Sequence, residues 1–395
     1  MAGALLRCLN VKRRLWLITG AYVALTFPVA FWLLPTGREA PPAFSSARAE
    51  PEWKPDAARA GELRTLALRH ARVWNPTDVA TFDCAANPPD PSGQLSTPLV
   101  KCRYVAESAH GTTPKFACLL PDGEVVKVKY GALTAEIHAE LAATRLLRGL
   151  GFGADHMFLV PRLRCYGCMR TPFYTVLALD FVHMRNAVLR TVPPDSYTDF
   201  EWVAVERRFN GTPIEANGRS GWAWFELDDI DSSRGASRDE RDALRLAALL
   251  IAHWDNKAEN QRLTCLTPGS TGSAPCDQPF ALINDVGATF GPNKIDLDGW
   301  SNAPIWADRS HCIVSMKSFP YDGGTFRDTT ISEAGRQLIA RQLLALTDRQ
   351  MTALFTAARF SEFHQHHGRG GEPDAWAEML RRKIRDIADG DPCPQ

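Results

Sequence analysis

The chain has 395 residues, with 45 basic and 45 acidic side chains and 45% hydrophobic content. Charge so evenly balanced gives no net field to draw the chain to nucleic acid, which is excluded as a partner. The apolar content supports a real core, and the length suits one two-lobed domain behind an N-terminal extension.

Lys12-Arg13-Arg14 precede an uncharged apolar run from Leu15 to Leu34. About twenty such residues are enough to span a bilayer. A cleaved signal peptide would carry a shorter apolar region, and the only nearby Ala-x-Ala, Ala47-Arg48-Ala49, lies far downstream. The run therefore reads as an uncleaved transmembrane signal anchor. The basic flank leaves residues 1–14 in the cytoplasm and the body outside it, in a periplasm or a lumen. Residues 35–60 carry Pro35, Pro41, Pro42, Pro51 and Pro55 among Ala, Ser and Arg. They read as a Pro/Ala-rich tether with no core of its own.

After another Pro-rich loop at Asn87–Ser96, three strands are expected, at Val100–Glu107, Lys115–Leu120 and Val125–Lys129. The turns between them are Ser108 to Thr113, which includes Gly111, and Pro121-Asp122-Gly123-Glu124. Lys127 and Lys129 lie two apart and share a face of the third strand. Either can reach an anion; the plainer alternative is two lysines on a solvated face. An Ala- and Leu-rich helix follows from Thr134 to Leu150 and carries Glu136 and Glu140. Thr191 to Ala236 holds few clear elements, and its Trp202, Trp222, Trp224 and Phe225 are either an aromatic patch or simple core filling.

Asp239 to Ile251 reads as a long apolar helix, with Ser237-Arg238-Asp239-Glu240 as a capping box at its start. It runs into His253-Trp254-Asp255-Asn256-Lys257-Ala258-Glu259-Asn260. A short buried strand, Pro279–Ile283, then delivers Asn284-Asp285-Val286-Gly287. Alone, either polar segment is ordinary turn chemistry. Together, His-x-Asp-x-Lys-x-x-Asn and Asp-x-Gly supply what phosphoryl transfer needs: a carboxylate at the attacking hydroxyl, a carboxylate and an amide on metal ions, and a cation on the moving phosphate. Asp255, Asp285, Asn260 and Lys257 are those groups. From Thr347 the chain reads as helical to Ala388, with His364, His366 and His367 as a solvated helix end or, less simply, metal ligands.

Ten cysteines are many for a cytosolic protein and read as disulfides outside the cytoplasm. Cys265 and Cys276 bracket a Gly/Ser/Pro-rich loop and are the expected pair. Cys165-x-x-Cys168 suits a bridge, a redox pair or a chance spacing. A zinc site lacks a second paired C-x-x-C.

Glu140-Leu-Ala-Ala-Thr-Arg-Leu-Leu-Arg-Gly-Leu-Gly-Phe152 resembles the helix of the secretory-pathway kinases of the Golgi casein kinase type, within an atypical kinase clade that includes bacterial spore-coat kinases. The resemblance covers roughly residues 100–310. It implies an α+β fold: a small N-lobe of β-meander plus helix over residues 61–180, and a mostly helical C-lobe over residues 181–395. It also implies that Lys129 (or Lys127) and Glu140 orient the nucleotide, that Asp255 is the catalytic base, and that Asn260 and Asp285 hold the metal. The cofactors would be ATP or another nucleoside triphosphate with Mg2+ or Mn2+, and the acceptor a hydroxyl on protein, glycan or lipid. Departures are plain. No G-x-G-x-x-G joins the first two strands, so Gly111 and the hydroxyls of Thr112 and Thr113 would cover the phosphates, and no Ala-Pro-Glu follows Asp285. A catalytically silent kinase-like binding module, or a disulfide-stabilised structural protein, stands as the alternative.

Overall fold

The computed structural model describes residues 34–49, 51–107, 111–131, 134–216, 218, 221–320, 323–367 and 371–394. The expected anchor lies outside them except for Leu34. Among the described residues no helix is long and apolar enough to cross a membrane. The molecule is a mixed α/β protein. Its strands are β1 (Gly37–Arg38), β2 (Val100–Val105), β3 (Lys115–Leu119), β4 (Val125–Lys129), β5 (His156–Tyr166) and β6 (Ser196–Arg207). They continue with β7 (Thr212–Pro213), β8 (Gln261–Cys265), β9 (Pro279–Ile283), β10 (Ile313–Val314) and β11 (Thr329–Thr330).

The expectation of a β-meander is corrected. The main sheet runs β1-β6-β4-β3-β2-β5, and β6 also pairs with β5, so strands β2 to β6 close into a five-stranded barrel. Strands β2, β3 and β4 are the meander the sequence suggested. β5 then lies parallel to β2, with Val100 opposite Leu163, and β6 completes the ring. Closure removes the exposed strand edges that an open meander would leave. Neither closing strand announces itself. β5 contains Pro161, which ordinarily argues against a paired strand. β6 buries Ser196, Thr198 and Phe200, then slips by one at Trp202, whose φ is 51°, and buries Val203 and Val205. That slip breaks the period-2 pattern by which strands are recognised.

The chain divides into two compact units. Residues up to Ala47 belong to the first, with Thr97–Lys127 and Pro161–Glu201. Within it, β1 pairs with the start of β6 (Gly37 opposite Tyr197), so the expected tether contributes a short strand. Glu39 gathers Lys101 (2.8 Å), Tyr166 (3.0 Å) and Arg164 around its carboxylate.

Arg48–Ser96, Val128–Val160 and Trp202–Gln395 form the second unit. Its centre is the helix Arg238–Leu250, against which the helices Glu333–Leu344 and Pro373–Ala388 pack. The capping box is present: Ser237 Oγ accepts from Glu240 N (3.2 Å), and a Glu240 carboxylate oxygen accepts from Ser237 N (2.8 Å). Phe290, Trp300, Phe355, Phe360 and Trp376 form one buried aromatic cluster. The expected single helical stretch after Thr347 resolves into Asp348–Ala357, Phe360–His367 and Pro373–Ala388. Arg359, at φ 59°, turns the chain at the first break, and Pro373 opens the last helix. Trp222 and Trp224 fill the core. Trp202 and Phe225 stay more exposed, with Arg359 and Arg327 stacked on them at 3.7 and 4.1 Å.

Disulfides join Cys102–Cys118, Cys165–Cys168, Cys265–Cys276 and Cys312–Cys393. Cys84 is a buried thiol whose pKa burial pushes up to about 11. The four bridges are compatible with an extracytoplasmic location.

Candidate active site

The second unit brings six of the sequence-selected residues into one region. The helix Arg238–Leu250 stops because Ala252 turns left-handed at φ 52°, and His253 N donates back to Ala248 O (2.9 Å). The polar loop begins there. Asn256, fully buried, fixes it: its side-chain oxygen accepts from Thr325 N (2.7 Å) and Phe326 N (2.9 Å), and its own carbonyl accepts from Thr325 Oγ1 (2.8 Å). Asp255 and Lys257 are left partly exposed and form an ion pair at 3.1 Å.

Strands β8 and β9 pair antiparallel, with Gln261 opposite Ile283, so the segment before β8 meets the one after β9. The carbonyl of Asn260 accepts from Asn284 N (2.8 Å) and Asp285 N (3.1 Å). The amide nitrogen of its side chain donates to the Asp255 carbonyl (2.5 Å). Asp285 Oδ1 accepts from Gly287 N (3.2 Å), an Asx turn that holds the carboxylate over its own loop. Gly287 is packed against Glu136, since a Cβ there would stand 3.0 Å from the Glu136 Cγ. Glu136 in turn pairs with Lys294.

Lys129, the last residue of β4, is buried and forms an ion pair with Glu140 on the helix Ala135–Gly149. Glu140 rather than Glu136 is thus the helix carboxylate it meets. Burial acts against the charged ammonium, but Glu140, then Asp285, Glu206 and Glu136, outweigh it and hold the Lys129 pKa well above its ordinary value. Burial pushes the Glu140 pKa up, and Asp285 and Glu206 push the same way, against the opposing pull of Lys129. Several carboxylates thus gather around one buried ammonium. Hard oxygen donors suit Mg2+ or Mn2+. The Asp285 carboxylate and the Asn260 side-chain oxygen are donors of that kind on adjoining segments, so the donor chemistry would fit such an ion.

Sequence reasoning missed Glu206, Asn256 and Lys294. Arg262 went unnoticed too; it bonds Asp155 (2.9 Å) and the Asn284 side chain, steadying the approach to Asp285. Only Asn256 carried a signal, as a polar residue inside the motif. Gly111 and Lys127 belong to the first unit, where Lys127 lines a cavity of about 230 Å³ with Tyr104, Glu107, Lys115 and Phe173.

Burial lowers the pKa of His253 to about 4, against the pull of Asp285 and Asp255, and that of His156 likewise to about 4. Both rings are neutral in the native state and bind protons more readily when unfolded. Stability should therefore be full above about pH 6.5 and fall as pH drops toward 4, by a few kcal/mol in total. Urea midpoints from pH 7 to 4 check this. In His253→Gln the loss over that window should shrink; an unchanged loss would remove His253 from the explanation.

No family profile matches the chain, and no curated protein matches it. Among solved structures the chain is similar to the crystal structure of a Helicobacter pylori proinflammatory kinase, CtkA. The two are 11% identical with a TM-score of 0.39, over 73% of this chain and 95% of that one. A likeness this low carries no argument about fold or activity.

Proposed function

We propose that this chain is a kinase-like phosphotransferase with a two-lobed kinase-like fold. It would move the γ-phosphoryl of ATP or another nucleoside triphosphate to a hydroxyl on protein, glycan or lipid. The observation that carries the reading is the meeting of a strand lysine, a helix glutamate and the Asp-x-Gly carboxylate: Lys129 pairs with Glu140 in the field of Asp285. Lys129 binds the nucleotide phosphates, and Glu140 fixes its position. Asp285 and Asn260 would hold Mg2+ or Mn2+, whose charge offsets that of the phosphate oxygens. Asp255 orients the acceptor hydroxyl and takes its proton, and Lys257 sets a cation beside the moving group. Residues 15–34 anchor the body to a membrane, outside the cytoplasm, where the disulfides form.

Titrating the purified chain with nucleotides and divalent metals tests the reading. Metal-dependent thermal stabilisation by a nucleoside triphosphate, followed by its hydrolysis or transfer, is expected. Stabilisation without turnover would point to the silent binding module. No stabilisation by any nucleotide would end both.

The ion pair gives a sharper result. Lys129→Met strands a buried carboxylate and should cost about 3–5 kcal/mol. Adding Glu140→Gln removes that charge and should recover most of the stability while activity stays lost. Equal melting of the single and double variants would show that the pair is not coupled.

A further inference from the structure

The first unit carries an apolar surface that the phosphotransfer reading does not use. The helix Pro172–Phe181 is mostly apolar, with Thr175 on its inner face and Asp180 near its end, and buries Pro172, Phe173, Thr175 and Val176. Its other face presents Tyr174, Leu177 and Phe181, spaced three and four apart and so side by side. Phe181 is 87% exposed, and Val182 and Met184 extend the patch. Five large apolar side chains open to solvent on one short segment mark an interaction surface.

The placement of this segment says what covers it. Leu34, the last residue of the long apolar run, is itself exposed and stands three residues before Gly37, which is fixed in the sheet opposite Tyr197. Three Cα steps reach at most about 11 Å. A membrane holding residues 15–34 must therefore begin close to that strand pair. The chain that enters and leaves the patch region is anchored on the same strand pair: Cys168 O, before the helix, accepts from Thr198 Oγ1 (2.9 Å), and Asp195 O, beyond the helix Arg185–Leu189 that follows the patch, accepts from Glu39 N (2.9 Å). Arg170, Arg185 and Arg190 flank the patch against a single acid, Asp180, which Arg185 pairs at 3.3 Å. A basic rim with aromatic and aliphatic side chains between is the composition of an interfacial membrane-binding segment.

We infer that Tyr174, Leu177, Phe181, Val182 and Met184 dock on the lipid surface beside the anchor, as a second membrane contact that fixes the orientation of the first unit. This rests on the membrane part of the proposed function and is independent of catalysis. The test uses the full chain reconstituted into phosphatidylcholine/phosphatidylglycerol vesicles that contain an alkyne-tagged lipid. Photoreactive benzoylphenylalanine replaces Phe181, Leu177 or, as a control in the second unit, the exposed Leu344. Adducts with tagged lipid at least tenfold more frequent at positions 177 and 181 than at 344 are expected. Three results would overturn the inference: equal labelling at all three positions, adducts to residues 15–34 or to a second copy in place of lipid, or a chain that does not float with the vesicles. The last would fail the anchor as well; nucleotide turnover, measured on the same samples, would stand or fall separately.

Discussion

Asp255→Asn should bind nucleotide and metal as the native chain does while losing turnover by roughly 10²–10⁴-fold, the contribution of a positioned general base. Asp285→Ala should instead lose metal-dependent nucleotide binding itself. The separation follows from where the two carboxylates stand. Asp255 is partly exposed on a loop that Asn256 holds in place from the buried side, so removing its charge leaves that scaffold intact. Asp285 is half-buried and acts on both members of the buried pair, Lys129 and Glu140. Without it, Lys129 loses one of the carboxylates that keep it charged, and a bound Mg2+ would lack its proposed hard ligand. Isothermal titration with and without Mg2+, alongside single-turnover assays, resolves the two effects. Wild-type transfer by both variants would end the phosphotransferase reading.

What could be read from the sequence was local. The capping box, the helix Arg238–Leu250, the polar loop behind it and the strand Pro279–Ile283 each declare themselves within a dozen residues, through spacing and turn chemistry. Hydrophobic periodicity also located β2, β3 and β4 to within two residues. What could not be read depends on partners distant in the chain or on a break in a pattern. Glu206 reaches the Lys129 cluster from β6, beyond the slip at Trp202, and nothing in its neighbourhood marks it as polar for a reason. The barrel stayed hidden because one closing strand contains a proline and the other changes register midway. The sequence put Lys129 ahead of Lys127 as the partner of Glu140, and the structure has that pair; period-2 spacing alone, which puts both lysines on one face, does not separate them.

The bridge Cys312–Cys393 should carry the largest share of disulfide stabilisation. It spans 81 residues, against 11 for Cys265–Cys276. Loop-closure entropy then gives about 4.5 kcal/mol for the first and about 3 kcal/mol for the second. Such values are realised only when the native state survives the loss of the bond, and here other contacts hold the C-terminal segment. Arg336 donates to the carbonyls of Ile387 (2.8 Å) and Ala388 (2.7 Å), and Arg309 to those of Asp389 (3.1 Å) and Asp391 (2.9 Å). Glu333 accepts from Cys393 N (2.9 Å), and Arg336 holds its carboxyl well below the usual range. Replacing both Cys312 and Cys393 with Ser should therefore leave the fold in place and destabilise it chiefly by freeing the unfolded chain. Denaturant unfolding of the two double-serine variants gives the comparison. A smaller loss for Cys312/Cys393 than for Cys265/Cys276 would show that the C-terminal segment has detached in the native state. Native protein whose Cys312 and Cys393 react with a thiol reagent before reduction would show that the bridge does not form, and with it would go part of the case for an oxidising compartment.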